Sequence, residues 1–238
     1  MIKIDILERK ISSSFTISVE KLTIDSSEIV AIIGNNGSGK TIFLNSLINN
    51  INLDNGNITI LGIPNKSDAW KKSAGIYLNK NYLLDFMTPL EFFYFISSFY
   101  NLSKSAILQK VKVFTNFLQT DMNHIKNKRI SYFSNGTKDK IGIISALLHQ
   151  PKLLIFDEPF AHLDIPSIHF LLDYWHLLKN NLSSTILIAC PNLFMLKSFC
   201  TRILLFNQGQ IILDLPNNPR NIAIIDEYFK DKMISATE

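Results

Sequence analysis

The sequence has little cysteine and no long hydrophobic run. Cys190 and Cys200 are its only two cysteines, too few for a disulfide framework or a structural zinc site. No stretch reaches the roughly 18 consecutive apolar residues that a membrane-spanning helix needs. The N-terminal segment MIKIDILERK also lacks the apolar centre of a signal peptide. These absences predict a protein of the reducing cytoplasm with no bilayer span of its own.

A concentrated positive charge is also absent. The 24 basic and 20 acidic residues are scattered along the 238 positions and leave a net charge of +4. Because nucleic-acid binding needs a basic patch or stripe, we expect no nucleic acid among the partners. Hydrophobic residues, in contrast, make up 47% of the chain, and mean hydropathy is +0.14. This composition predicts a sizeable core and an unusually apolar surface.

Short apolar runs alternate with helical patterns through most of the chain, which predicts an α/β fold with a mainly parallel sheet. Residues 2–7 and 15–24 alternate in hydropathy and predict an N-terminal antiparallel β-subdomain. Residues 28–33 are β-branched without alternation, typical of a strand buried on both faces. Further strands are predicted at residues 58–61, 75–78, 153–156, 185–189, 203–206 and 210–213.

A long, largely helical stretch interrupts this alternation at about residues 82–150. Its helical patterns cover residues 89–100, 105–118 and 138–149. We interpret the stretch as a helical subdomain inserted into a single domain of residues 1–238. Residues 1–81 and 151–238 then form the core and the β-subdomain.

A phosphate-binding motif follows the first buried strand. The segment GNNGSGKT satisfies G-x-x-x-x-G-K-[ST] and lies between a predicted strand and a predicted helix. A chance match in a chain of this length is roughly one in a hundred. Glycines let backbone amides face phosphate, Lys40 spans the β- and γ-phosphates, and the Thr41 hydroxyl is offered to magnesium. The predicted phosphate-binding residues are Gly34, Asn35, Asn36, Gly37, Ser38, Gly39, Lys40, Thr41 and Ile42.

Two adjacent carboxylates end a second apolar strand at residues 153–156. Asp157 is predicted to hold magnesium through water, and Glu158 to polarise an attacking water as a general base. Acidic residues often follow core strands as solvated termini, so the pair alone is a weak signal. After a phosphate-binding loop in the same chain it becomes a strong one.

The order of these motifs resembles that of ATP-binding cassette (ABC) ATPases over essentially the whole chain. Residues 133–137, with Ser134, Asn135 and Gly136, look like the family's signature loop, and residues 160–164, with Asp164, look like its D-loop. The resemblance implies that two cassettes close head to tail. The signature loop of one then covers the γ-phosphate of the ATP held by the other.

Two departures from the family pattern concern hydrolysis. Lys80 stands where the family has a glutamine that touches magnesium, unless a shift of one residue brings Asn79 or Asn81 there. Pro191 stands where the family has a histidine that contacts the γ-phosphate, and proline has no donor. The resemblance therefore implies a chain that binds ATP and Mg²⁺ well and hydrolyses ATP slowly.

Other positions carry smaller expectations. Asn135 replaces the commonest signature glycine, a mild change because asparagine tolerates the left-handed region. Asp139 and Lys140 are expected at a solvated helix start. Phe15 is either an adenine platform or a core residue, and His162 is either at the dimer interface or structural.

Residues 82–100 are dense in aromatics, either because they pack a core or because they stay exposed. In the family this segment forms a groove for a short helix of a membrane subunit. The implied function is an ATP-hydrolysing subunit of a membrane transporter, most like drug, peptide or bacteriocin exporters. It would lie on the cytoplasmic face with an integral membrane subunit and a second cassette, identical or different. The alternatives are a soluble cassette ATPase and a nucleotide-binding subunit without turnover.

Overall fold

The computed structural model describes residues 1–78, 82–191 and 193–234, which form two β-sheets flanked by helices. The N-terminal sheet is antiparallel and has β1 at its centre, paired with β2, β3 and β5. Its strands are β1 (Ile2–Lys10), β2 (Thr16–Val19), β3 (Leu22–Ile24), β5 (Asn55–Ile60) and β6 (Ile63–Pro64).

The second sheet has the order β11-β10-β4-β9-β8-β7, and all its pairings are parallel except that of β10 with β11. The predicted α/β class with a mainly parallel sheet is confirmed. Its strands are β4 (Ile29–Ile33), β7 (Ala74–Tyr77), β8 (Leu153–Asp157), β9 (Thr185–Cys190), β10 (Arg202–Asn207) and β11 (Gln210–Pro216).

The helices connect and cover these sheets. The stretch between β7 and β8 contains α2 to α6, which is the helical region that the sequence predicts. In the described part of the chain the helices are α1 (Lys40–Leu47), α2 (Pro89–Ser98), α3 (Lys104–Val113), α4 (Thr115–Leu118), α5 (Met122–Asn127), α6 (Asn135–Leu147), α7 (Ile165–Leu182) and α8 (Pro219–Ile234). None of them is both long enough and apolar enough to span a bilayer.

The parallel sheet lies between two apolar cores. Successive side chains of a strand point to opposite faces, and β4 follows this rule, since Ile29, Ala31 and Ile33 pack in one core and Val30 and Ile32 in the other. The first core also holds side chains of α2, α3, α4 and α6, and the second holds those of β1, β5 and α1. The helical stretch thus shares a core with the sheet, and its separate standing as a subdomain stays a prediction.

Several predicted bounds were wrong. The second N-terminal run is two strands, β2 and β3, and the helix predicted at residues 105–118 divides at Phe114 into α3 and α4. The short elements β6 and α5 were missed. Asp139 and Lys140 do not lie at a solvated helix start, because both are buried within α6.

Candidate active site

The phosphate-binding motif forms a tight loop between β4 and α1. Gly39 precedes α1 with φ of 106°, a left-handed conformation that glycine adopts without strain. Gly34 approaches another strand so closely that a Cβ atom would collide with the Phe206 carbonyl. Asn35, Asn36 and Gly37 are exposed at the tip of the loop. The loop therefore presents its backbone at the surface beside a helix N-terminus, which suits an anion.

Lys40 is folded back into this loop. Its Nζ donates hydrogen bonds to the carbonyl oxygens of Gly34 at 2.7 Å and Asn35 at 3.1 Å. Burial lowers the pKa of the Lys40 ammonium, and the negative charge of Glu158 opposes this shift. A buried cation thus lies within the loop, close to the carboxylates at the end of β8.

Asp157 and Thr41 meet beside the loop. Both residues line the same cavity, where burial raises the pKa of the Asp157 carboxyl group and the neighbouring Thr41 hydroxyl opposes this shift. The Oδ1 atom of Asp157 and the hydroxyl of Ser38 are buried, and within the described residues neither has a hydrogen-bond partner. Buried polar atoms are seldom left unpaired. Because the unpaired atoms are oxygens, which Mg²⁺ prefers, Thr41 and Asp157 fit a magnesium site.

Glu158 directly follows Asp157 in an unusual backbone conformation. Its φ is 48°, in the left-handed region that non-glycine residues seldom occupy, and its N–H donates to the Ala189 carbonyl at 2.8 Å. Glu158 lines two cavities.

The two cavities at Glu158 differ in chemistry. The first, here called the polar cavity, has a volume of about 280 Å³, and the second, the apolar cavity, has about 300 Å³. Residues lining the polar cavity include Thr41, Tyr77, Asp139, Asp157, Glu158 and His162. Those lining the apolar cavity include Glu158, Phe160, Cys190, Pro191, Phe194 and Met195.

The signature-like loop and the D-loop-like segment lie against each other. Ser134 precedes α6, accepts a hydrogen bond from the Thr137 N–H, and is exposed. Asn135 is the first residue of α6 and has no positive φ, so the left-handed tolerance expected of it is not used. A Cβ on Gly136 would collide with the His162 carbonyl, which accounts for a glycine there.

Asp164 caps α7. Its carboxylate accepts a 2.8 Å hydrogen bond from the Ser167 N–H, and the Lys140 ammonium lies 3.4 Å away. The hydrogen bonds from Ser167 hold the pKa of Asp164 at about 2. Lys140 is buried, and its ammonium also lies over the Phe117 ring, 5.6 Å from the centroid.

Asp139 is held inside the molecule by two side chains. Its Oδ1 accepts a 2.7 Å hydrogen bond from the Tyr77 hydroxyl, and its Oδ2 lies 2.6 Å from Nδ1 of His162. Burial, with a contribution from this hydrogen bond, raises the pKa of Tyr77. The sequence analysis missed this triplet, because its members are far apart in sequence and form no recognised motif.

The structure describes only one of the two positions, Pro191 and Lys80, at which the sequence departs from the family pattern. Pro191 directly follows β9 and lines the apolar cavity next to Glu158. Lys80, Asn79 and Asn81 lie outside the described residues. Phe15 is half-buried at the edge of the loop, with its ring 3.1 Å from the position that a Cβ on Gly39 would take.

Comparisons with known proteins agree with this geometry. A family model described as ABC transporter matches residues 18–161, more than half of the chain. NatA of Bacillus subtilis (strain 168), an ABC transporter ATP-binding protein, is 27% identical over 194 residues, which are 80% of this chain and 78% of NatA. The phosphonates import ATP-binding protein PhnC of Treponema denticola is 28% identical over 228 residues, 90% of this chain and 89% of PhnC. Three further relatives are longer, since the chain spans only 61%, 59% and 57% of their lengths.

A solved structure extends the likeness to the fold. The dimeric, post-hydrolysis state of an ATP-binding cassette bound to ADP and Pi has a TM-score of 0.78 and 20% identity, and the alignment covers 92% of this chain and 99% of that one. At this identity the match shows the fold alone. Taken with the family match, the chain belongs to the ABC transporter family, as one of its ATP-binding cassette ATPases.

Proposed function

We propose that the chain binds MgATP at the loop of residues 34–41 and hydrolyses it to energise a membrane transporter. The observation that carries the proposal is the juxtaposition of this loop with Thr41, Asp157 and Glu158 at one edge of the parallel sheet. In open parallel sheets, ligands bind at the carboxyl ends of the strands. The proposed phosphate contacts are Gly34, Asn35, Asn36, Gly37, Ser38, Gly39, Lys40, Thr41 and Ile42.

The proposed chemistry is a water attack on the γ-phosphorus. Glu158 accepts a proton from the water, the new P–O bond forms, and the bond to the β–γ bridging oxygen breaks, which gives ADP and Pi. Lys40 supplies positive charge to the phosphates, and Thr41 and Asp157 hold Mg²⁺, which neutralises phosphate charge when bound. Ser134, Asn135 and Gly136 of a second cassette, together with the α6 N-terminus, would cover the γ-phosphate. Asp164 belongs to the loop beside that contact.

We infer that hydrolysis is slow. Pro191 supplies no N–H and no side-chain donor next to Glu158, and the other apolar-cavity residues that we name are Phe160, Cys190, Phe194 and Met195. Loss of one preorganised donor to a developing charge costs about 10²- to 10³-fold in rate at other sites. ATP binding depends on the phosphate-binding loop and should suffer less than turnover.

An apolar groove supports a membrane partner. Among the aromatics of residues 82–100, Phe92 and Phe93 are buried, whereas Tyr82, Phe95 and Phe99 are exposed by 60%, 41% and 62%. Some aromatics of this segment therefore pack in the core and others stay exposed, so both explanations that the sequence allowed apply, each to different residues. A cavity of about 300 Å³ lies beside the exposed aromatics. Its lining includes Ile48, Ile76, Leu78, Leu83, Phe92 and Ile96.

The occupant proposed for this groove is a short cytoplasmic helix of an integral membrane subunit. Such a helix would lay its apolar face in the cavity, and Lys71 and Lys72 would meet acidic residues at its edge. The cassette would then lie on the cytoplasmic face of the membrane, paired with an identical or a different cassette, as in the dimeric relative. Export stays a prediction, since one relative is named for phosphonate import, and uptake and efflux measured in oriented vesicles would decide it.

The nucleotide proposal is tested by calorimetry with MgATP. We expect binding by the unsubstituted chain and loss of most of it in Lys40→Ala, because the ammonium that pairs with phosphate is removed. A Lys152→Ala variant, altered at an exposed lysine before β8, is the control. No heat with MgATP, or identical binding by Lys40→Ala, would overturn the proposal.

The partner proposal is tested by affinity purification from native membranes. We expect an integral membrane protein to co-purify and to be lost in Tyr82→Ser, which removes an exposed aromatic side chain that lines the groove. Ile11→Ser changes another exposed apolar side chain, 44% exposed in the N-terminal sheet region, and should keep the partner. Equal retention of the membrane protein by both variants would contradict this groove as the docking site.

A further inference from the structure

Three segments of the chain meet at the buried carboxylate of Asp139. Tyr77 ends β7, Asp139 lies in α6, and His162 lies in the loop between β8 and α7. The Asp139 side chain is 8% exposed, so few of its hydrogen bonds can go to water. Its two oxygens are instead used on two different partners, the Tyr77 hydroxyl at 2.7 Å and Nδ1 of His162 at 2.6 Å. A buried charge needs such partners to be tolerated.

The hydrogen bond to Asp139 fixes which nitrogen of the His162 ring carries a hydrogen. An ionised carboxylate only accepts hydrogen bonds, so Nδ1 of His162 must carry the hydrogen that faces Asp139. In the neutral ring, Nε2 is then a lone-pair acceptor. No group in the described part of the chain is hydrogen-bonded to Nε2. The ring is therefore oriented at one nitrogen and free at the other.

The polar cavity lies beside this histidine. His162 is 49% exposed and lines that cavity together with Thr41, Asp157 and Glu158. A cavity of about 280 Å³ holds several waters or a phosphoryl group. The half-exposed His162 thus borders the space in which the proposed hydrolysis would take place.

We propose that His162 is a positioning residue for the attacking water, oriented by Asp139 and Tyr77. The water would give one O–H to the Glu158 carboxylate and the other to Nε2 of His162, which fixes its lone pair toward the γ-phosphorus. His162 takes no proton in this step, since the proton passes to Glu158 as the new P–O bond forms. The inference rests on the proposed ATP hydrolysis and supplies a polar contact that Pro191 does not.

Two substitutions of His162 separate orientation of water from support of the fold. Asparagine places an amide N–H₂ near the position of Nδ1, which keeps the bond to Asp139 but leaves nothing at Nε2. Glutamine is longer and places an amide oxygen near Nε2, which keeps an acceptor for water. A structural role predicts that asparagine is the better replacement, and a water-positioning role predicts that glutamine is.

The test measures single-turnover hydrolysis of radiolabelled ATP by the purified chain and, separately, MgATP affinity. We expect His162→Asn to lower the hydrolysis rate about 10- to 100-fold with KM and ATP affinity unchanged, because a misplaced reactant costs rate rather than binding. His162→Gln should remain within about threefold of the unsubstituted chain. Asp139→Asn should also lower the rate, because it loosens the ring. His169→Asn, a change at an exposed histidine of α7, is the control and should have no effect.

Unchanged hydrolysis in His162→Asn would overturn the inference, and so would an equal rate loss in the Asn and Gln variants accompanied by raised KM. Both results would leave the proposed function standing if Lys40→Ala still abolishes ATP binding. No hydrolysis by the unsubstituted chain assembled with its second cassette would overturn both the inference and the proposed turnover. The two failures are therefore distinguishable.

Discussion

The two cavities beside Glu158 have nearly equal volumes and opposite chemistry. The polar cavity brings together hydroxyl, carboxylate and imidazole groups from α1, β7, α6, β8 and the loop that follows β8. The apolar cavity is lined, besides Glu158, by aromatic, thiol, thioether and proline side chains at the ends of β8 and β9. The same carboxylate thus has hydrogen-bonding neighbours on one side and almost none on the other.

This asymmetry separates binding from turnover. The groups that would hold nucleotide and magnesium lie on the polar side, where Lys40 donates to carbonyls of the phosphate-binding loop and Thr41, Asp157 and Glu158 line one cavity. In the apolar cavity, Pro191 stands where the family pattern has a histidine, and proline has no hydrogen-bond donor. The proposed slow hydrolysis implies a long-lived ATP-bound state, with the attacking water oriented from the polar side.

The largest effect is expected from Glu158→Gln, which removes the proposed base common to both cavities. General-base catalysis contributes about 10²- to 10⁴-fold, so the single-turnover rate should fall by that factor. MgATP affinity should be kept, because the amide removes a negative charge near the phosphates. Glu91→Gln, altered at the exposed α2 N-terminus, is the control for loss of a carboxylate. Hydrolysis unaffected in Glu158→Gln would remove Glu158 from the mechanism.

The next largest effect is a gain. Pro191→His places a donor in the apolar cavity, and we expect phosphate release to rise about 10-fold or more, up to the 10²- to 10³-fold span measured for single donors. Pro191→Leu restores a backbone N–H without a side-chain donor and should stay slow. Steady-state phosphate release distinguishes them. Equal rates in all three proteins would show that the apolar cavity does not limit turnover.

Local patterns predicted most of the parallel sheet. The strand residues 153–156 and 185–189 are continuous apolar runs, and they recur as β8 and β9 with one further residue each. The break between β2 and β3 was missed although two successive polar residues, Glu20 and Lys21, interrupt the alternation there. Bounds depend on hydrogen bonding to β1, a long-range pairing that hydropathy does not record.

The site was predictable where its residues are adjacent in sequence and unpredictable where they are not. The loop at residues 34–41 and the pair Asp157 and Glu158 are contiguous, so spacing alone identified them. Asp139 looked like a solvated residue because it lies four positions after the start of a polar helix segment. Its burial follows from Tyr77, 62 residues earlier, and His162, 23 residues later. The packing of α6 against β7 brings Asp139 to Tyr77, and the loop after β8 brings His162 to Asp139.

A smaller effect, on the stability of the fold, is expected from a change at Tyr77, which lines the polar cavity. Tyr77→Phe removes the hydroxyl that donates to the buried Asp139 carboxylate and should lower the free energy of unfolding by about 1.5–3 kcal/mol, the range for hydrogen bonds to charged groups. Tyr132→Phe makes the same change at a side chain that is 68% exposed and should cost less than about 0.5 kcal/mol. Urea denaturation measures both. Equal midpoints would show that Asp139 does not depend on Tyr77.

A second histidine, His149, follows α6 and contacts the start of β7, which allows a comparison with His162. His149 lies in an apolar setting, with its ring stacked on Tyr100 at 3.7 Å between centroids and its Nε2 3.0 Å from the Ala74 carbonyl. A carbonyl only accepts, so Nε2 carries the hydrogen, and Nδ1 is buried with no partner in the described residues. Burial lowers the pKa of His149 to about 4, and the nearby Lys110 adds to the shift.

The partly buried imidazole of His149 is expected to make the stability of the fold depend on acid. In the unfolded chain His149 takes up a proton below its ordinary pKa of about 6.5, whereas in the folded chain it resists protonation until about pH 4. Protons then bind more readily to the unfolded state, so the free energy of unfolding falls as pH drops from 6.5 to 4 and loses no more through this group below that. In His149→Gln this slope should flatten, and in His124→Gln, altered at an exposed ring, it should persist. Denaturant midpoints at several pH values measure it, and equal slopes in both variants would mean that His149 is protonated as easily in the fold as in water.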